Sequence, residues 1–275
     1  ALPQLEFVEI DSTDGYYKAK NIGFDRTSSE VVVFADADCM PKENWLEKIV
    51  EPFLEAQQQQ IELPPVVAGR TTYHDSVLGS AISTMDFIYF KSPLQKGAVR
   101  NFYANNVAFR RDVYQKYHFE QHQKIFRGHC QLVGIELTQD GVPIHFQNTA
   151  HTIHRFPDNA RELLKLRLLR GQDTVSLAPH IAEAALPSSL QWVKKLLPVN
   201  LLLIFGIRPF AGLLQINHQD MAKLSGVRYL ACMLSIPLVN AVDASGALLR
   251  LLGLSPLGKV SDGELLAMSY HSNRT

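Results

Sequence analysis

Over the first 155 or so residues, short apolar runs alternate with longer stretches of helical spacing. EFVEI (6–10) precedes a helical stretch from Asp14 to Thr27, VVVFAD (31–36) precedes another from about Lys42 to Gln58, and PVVAGRTTY (65–73) follows. Brief β-branched and aromatic runs read as strands, and segments with 3.6-residue periodicity read as helices. Alternation of the two predicts an open α/β domain. The glutamines 57–60, ahead of Pro64-Pro65, mark a surface connection.

The pattern then changes. NARELLKLRLLRGQDTVSLAPH (159–180) sets leucines at 163, 164, 166, 168 and 169 among Arg and Lys, which predicts a basic amphipathic helix. Two apolar stretches follow, 196–214 with Arg208 and two prolines, and 229–254 with Asn240, Asp243 and Arg250. A spanning helix needs about 20 mainly apolar residues, and a central Asp or Arg costs roughly 3 kcal/mol on insertion. Neither stretch is a clean span. Membrane association, by spanning or by lying in the interface, is the leading reading; a helical hairpin packed on the sheet domain is the alternative. The chain thus divides into an α/β unit, 1–175, and a C-terminal helical, partly apolar unit, 176–275.

Composition narrows the function classes. The 275 residues are 46% apolar, enough for a sizeable core, and 27 basic residues balance 27 acidic ones. No global field favours a polyanion, so nucleic acid is not an expected partner. Cys39, Cys130 and Cys232 lie far apart without C-x-x-C spacing, which argues against a zinc knuckle or a disulfide framework and fits a reducing cytoplasm. His118 and His122 share a helical spacing but have no acid or cysteine to complete a zinc site. The first residues do not read as a secretory leader.

Candidate chemistry centres on Asp36-Ala37-Asp38, at the end of the apolar run 31–35. If the segment is extended, the two acids face the same way. At the carboxyl end of an open-sheet strand, without an adjacent Lys or Arg, they suit a hard divalent cation and, through it, a diphosphate. A solvated turn is the competing explanation, since Asp is common there.

The surroundings of the pair resemble glycosyltransferase family 2. Ala19-Lys20-Asn21-Ile22-Gly23, Asp36-Ala37-Asp38, Pro41 and Trp45-Leu46 are similar to that family's A-[RK]-N-x-G, D-x-D, x-P and W-L elements. NFYANNVAFRRDVY (101–114) and DGVPIHFQNTAHTIHRFP (140–157) resemble two further segments in the same order. The resemblance covers roughly residues 5–175. It implies a GT-A nucleotide-diphospho-sugar transferase fold, a Rossmann-like mixed sheet flanked by helices, with the C-terminal helical region appended.

The resemblance also implies roles. Asp36 and Asp38 would hold Mg²⁺ or Mn²⁺ and the sugar nucleotide, Lys20 and Asn21 would lie near the nucleotide, and Asn105 and Asn106 would line the donor or acceptor pocket. His154 would complete the metal site. His151, three residues away, points to the opposite face if the segment is extended. Surface, turn and interior roles compete at each of Lys20, Asn105, Asn106 and His154.

Two departures stand out. Where family members carry an acidic pair ahead of a helix, this chain has Gly128-His129-Cys130, and His129 becomes the candidate base because imidazole titrates near neutrality. A structural or inactive position is the alternative. The first strand and acidic turn expected ahead of LEFVEI are absent, so the domain reads as missing its N-terminal strands. The implied activity is metal-dependent, inverting transfer of a sugar from a nucleotide-diphospho-sugar to a glycan, lipid or small-molecule hydroxyl, in cell-envelope or lipid-linked glycan synthesis at the cytoplasmic face of a membrane. No Q-x-x-R-W motif occurs, so single transfer is expected over polymerisation. A non-catalytic, membrane-associated sugar-nucleotide binder or partner protein is the other class retained.

Overall fold

The computed structural model describes residues 6–11, 15–119, 125, 127–214 and 224–254. Among them six strands form one mixed sheet: β1 (Val31–Ala35), β2 (Cys39–Pro41), β3 (Val66–Thr72), β4 (Ala98–Val99), β5 (Asn106–Arg110) and β6 (Ile144–His154). The order is β1-β5-β3-β6-β2, with β4 also beside β6. Only β3 and β6 run parallel; the other pairs are antiparallel. The helices are α1 (Tyr16–Asp25), α2 (Trp45–Gln58), α3 (Val77–Asp86), α4 (Arg111–Lys116), α5 (His129–Gln139), α6 (Ala160–Ala185), α7 (Leu197–Leu214) and α8 (Gly226–Leu251), with a 3₁₀ segment, Ser188–Lys195, before α7.

This is the expected α/β architecture, and strand alternation explains its layers. Val66, Ala68, Val107 and Phe109 face one core with Tyr17, Phe24 and Tyr114, while Val67 and Ala108 face Ile49 and Phe53 of α2 on the other side. All seven residues of β3 are buried, so both faces of the sheet are covered there. EFVEI is corrected: residues 6–10 carry no strand, and Phe7 is 89% exposed. Without a paired edge, its alternation has no core to face. His122 lies outside the described residues.

A bulge in β6 organises the sheet centre. The register with β3 shifts between Gly69 and Arg70, so that Gln147 pairs with Gly69 and His151 with Arg70. The amide of Asn106 donates to the carbonyls of Arg70 and Ala150 at 2.7 and 2.9 Å, and its oxygen accepts the Trp45 indole N–H at 2.9 Å. It supplies donors to carbonyls at the irregularity, where an unpaired buried carbonyl would be costly. A Cβ at Gly69 would stand 2.2 Å from the Asn106 oxygen, so the position admits only glycine without rearrangement.

Beyond the sheet, a buried ion cluster joins α3, α6, α7 and α8. Arg167 reaches Asp86 at 2.7 and 2.8 Å and Asp243 at 2.7 Å. Arg170 also pairs with Asp86 at 2.7 Å, and Arg208 binds Asp243 at 2.9 Å and the Met85 carbonyl at 3.0 Å. Burial pushes the Asp86 carboxyl up, but Arg167, Arg170 and Arg208 outweigh it and hold it at about 2. Gly171 and Gly246 let α6 and α8 touch backbone to backbone: a Cβ at Gly246 would meet the Leu168 carbonyl oxygen at 2.1 Å. The boundary expected between residues 175 and 176 falls inside α6, which continues to Ala185.

Two outcomes follow. Gly246→Val should destabilise the fold by about 3 kcal/mol through overpacking at this crossing, read as a lower urea midpoint. Because the Asp86 carboxyl is depressed, its contribution is present above the ordinary value of 3.8 and lost as pH falls through about 2. On the order of 2 kcal/mol should disappear across that window in the parent chain, and the loss should be absent in Asp86→Asn, which is itself destabilised by about 3–5 kcal/mol at neutral pH.

Candidate active site

The paired acids sit in a turn, not on the strand. β1 ends at Ala35, and the Cys39 amide donates to the Asp36 carbonyl at 3.1 Å, closing a four-residue reversal into β2. Strand alternation therefore is not what brings them together; the turn is. Antiparallel pairing then sets Cys39 opposite His154, and the Arg155 amide donates to the Asp38 carbonyl at 2.7 Å. Asp36, Asp38, Cys39 and His154 each offer a ligand atom, all within 4.8 Å of one another.

Within this group the two aspartates differ. Asp36 receives the Tyr16 hydroxyl on both oxygens at 2.8 and 2.7 Å, and Lys20 Nζ at 2.7 Å. Tyr16 and Lys20 lie four residues apart on α1, one turn above each other, which is why a single carboxylate meets both. Burial, then the Asp36 charge, raises the Tyr16 hydroxyl well above its ordinary value, so it stays a donor. The expectation of two acids without a neighbouring cation is thus corrected: Lys20 is remote in sequence but paired in space. Asp38 is 46% exposed at its side chain, with His154 Nε2 3.6 Å from Oδ2.

The tautomer of His154 follows from its other nitrogen. Nδ1 lies 2.9 Å from the Arg155 carbonyl oxygen, which can only accept, so Nδ1 carries a proton; in the neutral imidazole, Nε2 is then the nitrogen left with a lone pair, on the side of Asp38. A lone pair facing a carboxylate is favourable when a cation lies between them, and this donor set of carboxylate and imidazole suits a divalent metal. Cys39 had no signal in the sequence beyond its adjacency to Asp38. Burial, then Asp36 and Asp38, pushes its thiol up, so Cys39 stays a protonated thiol at neutral pH. Tyr73 stands edge-on to the His154 ring at 5.6 Å, and its hydroxyl reaches Asp86 at 3.4 Å.

Other sequence candidates lie elsewhere. Asn21 donates to the Phe119 carbonyl and accepts from Tyr114, both at 2.7 Å, so it fastens α1 to the segment after α4. Asn106 holds the β6 bulge, and Asn105, 5% exposed, accepts from Thr71 at 3.0 Å. His151 faces Thr72 at 2.8 Å and lies outside the four-residue cluster. His129 opens α5 after Gly128, whose φ of +105° is the left-handed region. Its ring is 5% exposed and stacks on Tyr17 at 4.2 Å.

Parts of the chain resemble known proteins. Residues 2–118 match the sequence profile described as glycosyl transferase family 2. Glycosyltransferase AglE of Haloferax volcanii is 38% identical over 48 residues, 18% of this chain and 16% of that relative. Among solved structures, the mannosyltransferase PcManGT from Pyrobaculum calidifontis, in complex with GDP-Man and Mn²⁺, superposes with a TM-score of 0.51 at 13% identity, over 86% of this chain and 66% of that one. The chain therefore spans less than two thirds of either protein. The likeness fixes the fold as GT-A, and the segment that matches the glycosyl transferase family 2 profile, residues 2–118, carries both Asp36 and Asp38.

Proposed function

We propose that the protein transfers a sugar from a nucleotide-diphospho-sugar donor to an acceptor hydroxyl, in a single inverting transfer. The observation that carries this reading is the Asp38–His154 pair, set by the β2–β6 register, with Asp38 inside the segment that matches the family 2 profile. Asp38 and His154 would hold Mn²⁺ or Mg²⁺, with Asp36 alongside; when bound, such an ion neutralises charge on the departing diphosphate. PcManGT, which shares the fold, carries GDP-Man and Mn²⁺.

The chain's own residues supply the positioning. Tyr16 and Lys20 fix the Asp36 carboxylate, leaving Asp38 the more open acid. The acceptor hydroxyl attacks the anomeric carbon, its proton goes to a base, and nucleoside diphosphate leaves. His129 is the sequence candidate for that base, and the role requires the turn at Gly128 to open, because the ring is buried against Tyr17. We place the acceptor among lipid-linked or cell-envelope glycans and the protein at the cytoplasmic face of a membrane, in view of the apolar C-terminal helices. The α/β unit and helical region act as two functional parts of one chain.

Calorimetric titration with Mn²⁺ and a panel of nucleoside diphosphates tests the site. Asp38→Ala and His154→Ala should each weaken metal-dependent nucleotide binding by at least about tenfold with an unchanged melting temperature. Asp36→Ala should weaken it and also lower the melting temperature, since Lys20, 9% exposed at its side chain, loses its ion-pair partner. Nucleotide binding indifferent to Mn²⁺ in the parent chain would remove the reading. Separately, His129→Gln should abolish an ionisation near neutral pH in the kcat profile if His129 takes the proton; an unchanged profile assigns it to packing.

A further inference from the structure

The C-terminal helices are amphipathic the wrong way round for water. On α7 every described exposed residue is apolar, with Leu202 at 74%, Ile207 at 59% and Phe210 at 67%, while Asn200 and Arg208 turn inward. On α8, Leu230, Leu234 and Leu238 are 59 to 68% exposed and Leu248 continues the stripe. Asn240, Asp243 and Arg250 face the protein instead, bonded respectively to the Phe205 carbonyl, to Arg167 and Arg208, and to Gln172 and Ser176. From Leu230 to Leu254 the single exposed polar residue is Ser245, whose hydroxyl already donates to the Ala241 carbonyl. A helix pair in water places its charges outward and its leucines inward. Here the ordering is reversed.

Length and hydropathy qualify α8 as a membrane-crossing helix. Its packing argues otherwise. Cys232 and Ile236 lie in one cluster with Ala81 and Met85 of α3, Gly246 touches Leu168 of α6, and Arg250 reaches Gln172 and Ser176. From Cys232 to Arg250, about 27 Å of helix runs along α3 and α6. Those two helices belong to the body that carries the sheet: α6 packs on α5 through Leu177 and Leu132. A crossing helix leaves its domain at one end, whereas α8 is flanked by its domain for nearly its whole length.

We propose that α7 and α8 seat the protein in one leaflet of a bilayer, lying in the membrane plane with their outer faces in the hydrocarbon margin and without crossing it. Trp192 and Tyr229, exposed, together with exposed Lys195 and Arg228, stand near the starts of the two helices and suit the lipid–water boundary. A protein partner fits less well, because protein interfaces carry about one hydrogen bond per 100–200 Å² and this face offers almost no free polar group. The inference rests on the membrane part of the reading above and not on its transfer chemistry, so the two can fail separately.

The test uses the full chain. Flotation with phosphatidylcholine vesicles, with and without phosphatidylglycerol, should carry the protein upward in both, more strongly with the anionic lipid. Spin labels at Leu230→Cys, Leu238→Cys and Leu248→Cys, read against the wild-type chain labelled in parallel, should report one shared depth about 5–10 Å into the boundary region. Depth changing steadily along the helix by about 1.5 Å per residue would overturn the proposal in favour of a span. Absence of flotation overturns it too, and light scattering then tells a self-associated face from a bare one. The double variant L234E/L238E should lose vesicle partitioning about tenfold or more while keeping Mn²⁺-dependent nucleotide binding, which reads the catalytic site independently.

Discussion

Two carboxylates and three guanidiniums buried between four helices decide how this molecule is put together. Asp86 ends α3, one residue from the aromatic wall that Phe87 and Tyr73 place against His154, and its cations come from α6 and α7. Asp243 brings α8 to the same point. Burying charges is expensive, and only a closely bonded cluster offsets the loss of water. Because its members come from four different helices, the cluster also fixes direction. The polar edges of α7 and α8 must turn toward Asp86, and their leucines are left on the other side.

The candidate site relies on a different device. Three residues of β2 paired with the end of β6 are enough to bring Asp38 beside His154, and the carbonyl of Arg155 selects which imidazole nitrogen faces it. The division of labour between the two acids follows from helix geometry: α1 delivers a hydroxyl and an ammonium to Asp36 and none to Asp38. One acid is held by a hydroxyl and an ammonium from α1, and the other is the more exposed, beside His154. A pair that looks symmetrical in the sequence is asymmetric in electrostatics.

Much of the sheet was legible because its signal is local. The apolar runs at 31–36 and 65–73 and the helices around α1 and α2 agree with the structure to within a few residues. What escaped depends on contacts across the chain. The Lys20–Asp36 ion pair and the internal bonds of Asn21 and Asn106 have no periodicity to reveal them, whereas the turn at Asp36–Cys39 matches the competing explanation for the paired acids. Asn106 illustrates the reason well: its value lies in a bulge on another strand, visible only once register is known. EFVEI fails in the opposite sense, since its alternation satisfies a local rule that no neighbouring strand takes up.

The Cys39–His154 pairing also carries a kinetic consequence. Its two halves come from opposite ends of the α/β unit, so the long loop between them must close before the register exists. Lys20 and Asp36 are close in sequence, whereas Asp38 meets His154 only across the far longer loop to β6. The same delay governs Asp86, which stays an unbalanced carboxylate until Arg167 has been made. The Asp38–His154 juxtaposition and the Asp86 cluster therefore both rest on long-range contacts, made by residues late in the α/β unit and beyond it.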